Sequence, residues 1–111
     1  MNEHELRYAK LVVDLKNLHK KINTVYNFFM NDNNKYIKQI TFQHKKLFAT
    51  KNLIERVSNK KIDFVELKPT EIDSKLNDME TLLKDSRKIL TKIIYEIENI
   101  TGKKIKFKSD I

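Results

Sequence analysis

Apolar positions return at alternating spacings of four and three over the last third of the chain: Ile72, Leu76, Met79, Leu83, Leu90, Ile93, Ile97 and Ile100, with Ser86 the one polar member of the series. That spacing keeps one stripe of an α-helix facing a single direction. Leu82 and Ile89 form a second column beside it, the wider stripe a helix needs when it touches two neighbours. Pro69 precedes Thr70-Glu71-Ile72-Asp73, which has the spacing of a capping box with Thr70 as the cap. Gly102 follows the last periodic isoleucine and can take the left-handed position that ends a helix. The pattern therefore predicts a helix over about 71–101, near 45 Å long at roughly 1.5 Å per residue. Glu71–Lys75 and Glu80–Lys84 support its exposed face at i,i+4 spacing.

A second stripe of the same design opens the chain. His4, Tyr8, Leu11, Leu15, Leu18, Ile22, Val25 and Phe29, flanked by Val12 and Tyr26, predict a helix over about 3–30. Asn31-Asp32-Asn33-Asn34 then interrupts the pattern with residues suited to a short helix–helix turn. The aromatic cluster around that turn, Tyr26, Phe28, Phe29, Met30, Tyr36 and Ile37, reads as a plug packed against Ile93, Ile97 and Ile100.

The segment between, about 35–59, is helical but less regular. On a helical wheel Lys35, Lys38, Lys45, Lys46, Arg56 and Lys60 share one sector, with Phe42, Ala49 and Leu53 among them. Tyr36, Ile37, Ile40, Leu47 and Phe48 lie opposite, as a core face. Beyond Phe48 the apolar residues Leu53, Ile54 and Val57 point away from that face, and Lys51 and Glu55 fall where it should continue. Either those two form a partly buried i,i+4 pair, or the helix kinks, breaks or changes packing partner near 49–52, where Asn52-Leu53-Ile54-Glu55 resembles a capping box. The expectation is the discontinuity.

Two stretches, residues 61–67 and 104–108, alternate as short strands do. The long helix between them separates the two, so pairing within one chain is awkward, whereas pairing between antiparallel protomers is feasible. The simpler expectation is a short extended linker over about 61–68 and a frayed basic tail over 103–111. The whole then reads as one all-α domain, an up-down-up antiparallel three-helix bundle with coiled-coil-like seams. In that arrangement Lys35, Lys38, Lys103, Lys104, Lys106 and Lys108 gather at one end.

One glycine and one proline in 111 residues fit such a bundle. The formal charge of +8 comes from 20 lysines and only 3 arginines. Lys, Ile and Asn share AT-rich codons, so part of the lysine excess reads as base composition, a viral or phage genome among the candidate sources. Arginine, suited to bidentate phosphate contacts, is scarce. No cysteine is present, so disulfides and thiolate metal sites are excluded. The N-terminus lacks an apolar signal region, and no apolar run approaches the roughly 18–20 residues of a membrane span. A cytoplasmic protein without membrane attachment is expected.

Catalytic patterns do not emerge. One glycine cannot build a phosphate-binding loop or a nucleophile elbow. His4, His19 and His44 lack metal-ligand spacing, and His19 sits at the edge of the first helix's stripe. None of Arg7, Arg56 and Arg87 precedes a histidine at the four- to six-residue spacing that all-helical ribonucleases of the HEPN type use. The reading is of a non-enzymatic protein with no metal and no cofactor. Its expected role is protein–protein interaction, assembly or self-association. The alternative is nucleic-acid binding through a basic stripe with an interleaved ring. The surface expected to carry either role comprises Lys35, Lys38, Phe42, Lys45, Lys46, Leu53, Arg56, Lys60, Lys104, Lys106 and Lys108.

Overall fold

The computed structural model describes residues 2–31 and 37–107. Asp32–Asn34 of the expected turn, Lys35, Tyr36 and Lys108 lie outside the described residues, as do the side chains of Phe29, Met30, Ile37 and Lys38. Three helices account for most of the rest: α1 (Glu3–Asn31), α2 (Ile37–Asn59) and α3 (Pro69–Thr101). Each packs against the other two, within an envelope of 52 × 29 × 18 Å. Among the described residues there is no strand, and no helix is long and apolar enough to cross a membrane.

The seams of α1 and α3 close the core as their spacing requires. Leu11, Leu15, Leu18, Ile22 and Val25 are buried against Ile72, Leu76, Met79, Leu83, Leu90, Ile93 and Ile97, with Ser86 buried in the series. Leu82, Ile89, Val12 and Tyr26 flank this core, half-buried. The α2 seam is Ile40, Gln43, Leu47, Thr50 and Ile54, again alternating threes and fours. The helix is uninterrupted across 49–52, so the expected break there is corrected. Gln43 and Thr50 occupy seam positions, and their polarity hid a register that never changes. Thr50 satisfies itself by donating to the Lys46 carbonyl at 2.9 Å. Phe48, expected in the core, is exposed. It lies at the α1 edge, its ring 6.3 Å from that of Tyr26.

Gln43 meets its surroundings only in part. Its Nε2 donates to Glu96 at 3.3 Å, while Oε1 is buried without a partner among the described residues. A buried acceptor left unsatisfied costs about 1–3 kcal/mol. Gln43→Leu is therefore expected to stabilise the fold by roughly 1–2 kcal/mol, visible as a raised thermal midpoint.

One helix start carries a cap the sequence reading did not name, and another departs from that reading. At α1, Asn2 accepts from the Glu5 backbone N–H at 2.9 Å, and its own amide donates to the Glu5 carboxylate at 3.0 Å. This is a variant of the reciprocal cap in which Asn holds the first turn. At α3 the start is Lys68, extended and without a side-chain cap, followed by Pro69 in the first helical position. Proline's missing N–H would be unpaired there anyway and its fixed φ suits the helix, so it displaces Thr70 from the capping role. The far end follows expectation: Gly102 has φ 70° and its N–H bonds the Glu98 carbonyl at 2.9 Å.

The two strand-like stretches are neither strands nor frayed over their described lengths. In the linker Asp63 Oδ1 accepts from the N–H groups of Val65 (3.0 Å) and Glu66 (3.2 Å), a side-chain-supported turn that compacts what the alternation suggested was extended. Ile62, Phe64 and Leu67 pack inward, with Phe64 edge-on to Tyr8. In the tail the Ile105 N–H bonds the Glu98 carboxylate at 2.9 Å and its side chain is buried. Alternation here records side chains turned in and out over a helical core.

Candidate interaction surface

Polar contacts between the elements set how the surfaces lie. Near the start of α1, His4 bonds Asp73 at 2.8 Å, while Arg7 bonds Asn77 at 2.6 Å and Glu80 at 2.9 Å. The Tyr8 hydroxyl donates to the Lys60 carbonyl at 3.2 Å. Farther along, His19 Nε2 donates to Glu55 at 2.8 Å, and Lys51 donates to the same oxygen at 3.0 Å. Asn23 approaches His19 Nδ1 at 3.4 Å, consistent with the ring proton on Nε2. Lys51 and Glu55 thus form the i,i+4 pair that the wheel left open, at the α1 edge of α2. Among the described residues no group of three His, Asp or Glu side chains could hold a metal ion.

Glu55 is held below the usual carboxylate range, first by the hydrogen bond from Lys51 and then by that from His19. A carboxyl whose folded-state pKa is depressed contributes stability at neutral pH and loses it as pH falls through that pKa. Glu55→Gln removes this titration. The acid limb of a urea-midpoint profile against pH is expected to become shallower, with little change in shape above neutrality.

The expected binding residues divide between faces. Phe42, Lys45, Lys46, Leu53 and Arg56 are exposed on α2, and Lys60 is exposed just beyond its end. Lys104 and Lys106 are exposed too, but the tail doubles back: Phe107 lies in a groove with Asp14, Leu18 and Lys21 of α1 and Arg87, Leu90 and Ile94 of α3. The basic tail therefore runs along the α1–α3 side, whereas Phe42 and Leu53 border α3 from the α2 side. Of the lysines expected to gather at one end of the bundle, Lys35, Lys108 and the side chain of Lys38 lie outside the described residues.

What the sequence did not bring together are two features where α2 meets α3. The first is an apolar groove of about 430 Å³ between the end of α2, the linker and the first turns of α3. Leu53, Val57, Ile62, Leu67, Met79 and Leu82 line it; Lys60, Lys61, Lys75, Asp63, Glu66 and Asp78 share its rim. Its size is that of pockets that receive drug-sized ligands or clustered apolar side chains. Beside it the linker turn holds out Val65, 92% exposed.

The second lies two to three turns along. Phe42, 67% exposed, carries the Lys46 ammonium 5.9 Å from its ring centroid. Phe42 and Lys46 border a shallow groove with Lys88, Ile89, Lys92, Ile93 and Glu96 of α3. Lys88 and Lys92 also border the next surface depression, with Arg87, Thr91 and Tyr95. Only the α2 half of this patch stood out in the sequence, because its α3 half becomes a neighbour only through packing. No protein-family model, curated protein or solved structure matches this chain.

Proposed function

We propose that the protein is a non-enzymatic helical assembly protein that pairs with a second copy of itself through the apolar groove at the α2–α3 corner. The observation that carries this is an exposed knob and a hole built from one linker: Val65 is 92% exposed, and its neighbours Asp63, Glu66 and Leu67 line a 430 Å³ apolar groove. A twofold axis beside such a patch lets each copy place its knob in the other's hole, the self-complementary arrangement of an isologous dimer. The rim agrees, since three lysines and three acids surround the groove and a twofold can set each sign against its opposite. An apolar centre within a charged rim is also the usual anatomy of a protein interface.

The bundle on which this patch sits we take to be up-down-up. The pairing of His4 and Arg7 with Asp73, Asn77 and Glu80 supports α1 and α3 starting at one end. The reach from Tyr8 to Lys60 and from His19 to Glu55 supports an antiparallel α2. The four-three spacing of all three seams supports coiled-coil-like crossings.

The test is isotope-filtered NMR on a mixture of labelled and unlabelled chains. Contacts between the Val65 methyls of one copy and the Met79 and Leu82 methyls of another are expected. A concentrated sample without them would rule out this pairing.

A further inference from the structure

We infer that the outer face shared by α2 and α3 binds single-stranded nucleic acid, with Phe42 and Tyr95 stacking on bases and Lys46, Arg87, Lys88 and Lys92 holding phosphates. Two independent observations meet here. Phe42 and Tyr95 are each 67% exposed, the most exposed aromatic rings among the described residues, and they flank the Lys88–Lys92 ridge from opposite sides. The four cations around them have no acid within ion-pair distance among the described residues, whereas Arg7 and Lys51 elsewhere do. The local sequence explains this: residues 37–54 contain no acid, and residues 81–95 contain only Asp85. Glu96, which borders the groove, accepts from Gln43.

Unpaired like charges repel one another and raise the local potential, and they are relieved by a polyanion. Exposed rings between them narrow the choice of polyanion. A duplex presents phosphates but keeps its bases stacked inside, leaving both rings idle. A single strand offers phosphates and open π-faces together, the combination that sequence-tolerant single-strand sites use. Three of the four cations are lysines, point charges without the planar fork that reads base edges, so the site is expected to be indifferent to sequence. It shares no residue with the self-pairing groove, and either can fail without the other.

The experiment is fluorescence anisotropy of the full chain on a labelled oligothymidylate across a salt series. Four phosphate contacts on a single strand give a slope of log K against log salt of about −3, or a loss of roughly 50-fold between about 50 and 200 mM salt. Tyr95→Ala, at an exposed position, is expected to weaken binding roughly 5- to 100-fold. Lys88→Glu with Lys92→Glu should weaken it by at least that much. The matched charge change on α1, Lys16→Glu with Lys20→Glu, should have a much smaller effect; circular dichroism checks that every variant remains helical.

Several results would overturn the inference. One is no binding at low salt. A second is equal loss from the α1 pair and the α3 pair, and a third is duplex bound as tightly as single strand. Displacement of the oligonucleotide by polyglutamate at equal charge concentration would assign the face to an acidic polypeptide instead.

Discussion

Ile54→Ala is expected to lower stability by about 2–5 kcal/mol, a fall of roughly 10–25 °C in the thermal midpoint for a domain of this size. Ile54 is fully buried in the α2 seam, and truncating it leaves a cavity that a close-packed core cannot wholly refill. Small domains are stable by only about 5–15 kcal/mol, so this one side chain accounts for a large share. The adjacent Leu53 supplies the comparison. It is chemically similar but 40% exposed, bordering the groove rather than the seam. Leu53→Ala should cost less than half as much. Equal losses at the two positions would mean that α2 changes register after Thr50, and the continuous seam would be wrong.

Val65→Asp is expected to abolish self-association while leaving the folded chain as stable as before. In the single chain Val65 contacts little, being 92% exposed, so its replacement removes no packing. In the pair its side chain enters an apolar groove, where an unpaired carboxylate would lose hydration without compensation. The dimer dissociation constant should rise by a factor on the order of 100 or more. Val13→Asp makes the same change at another exposed position, 55% accessible on α1, and should leave association unaltered. Loss of pairing in both variants would point to net charge rather than to the groove.

How much of this was legible in the sequence depended on whether seam positions were apolar. In α1 and α3 nearly every one is, and a four-three count was enough to place both helices and the Gly102 cap. In α2 two of the five described buried seam residues are Gln43 and Thr50. A wheel drawn on hydrophobicity alone therefore turned toward Phe48 and inferred a break. The described members of the lysine stripe, Lys45, Lys46, Arg56 and Lys60, are exposed, as are Phe42 and Leu53. The complement of this face on α3 was not legible, since Lys88 and Lys92 are ordinary exposed helical residues until α2 is laid beside them. The groove was beyond reach for the same reason, being assembled from two helices and a linker turn set by Asp63. Pro69 shows a smaller conflict, in which two start signals overlapped and the imino acid with the fixed φ prevailed.

Light scattering coupled to size-exclusion chromatography, over a dilution series of the wild-type chain beside Val65→Asp, tests the central claim most directly. The wild type should approach twice the chain mass of 13.3 kDa at high concentration and fall toward it on dilution, with the variant at 13.3 kDa throughout. A wild-type mass of 13.3 kDa at every concentration would contradict the pairing.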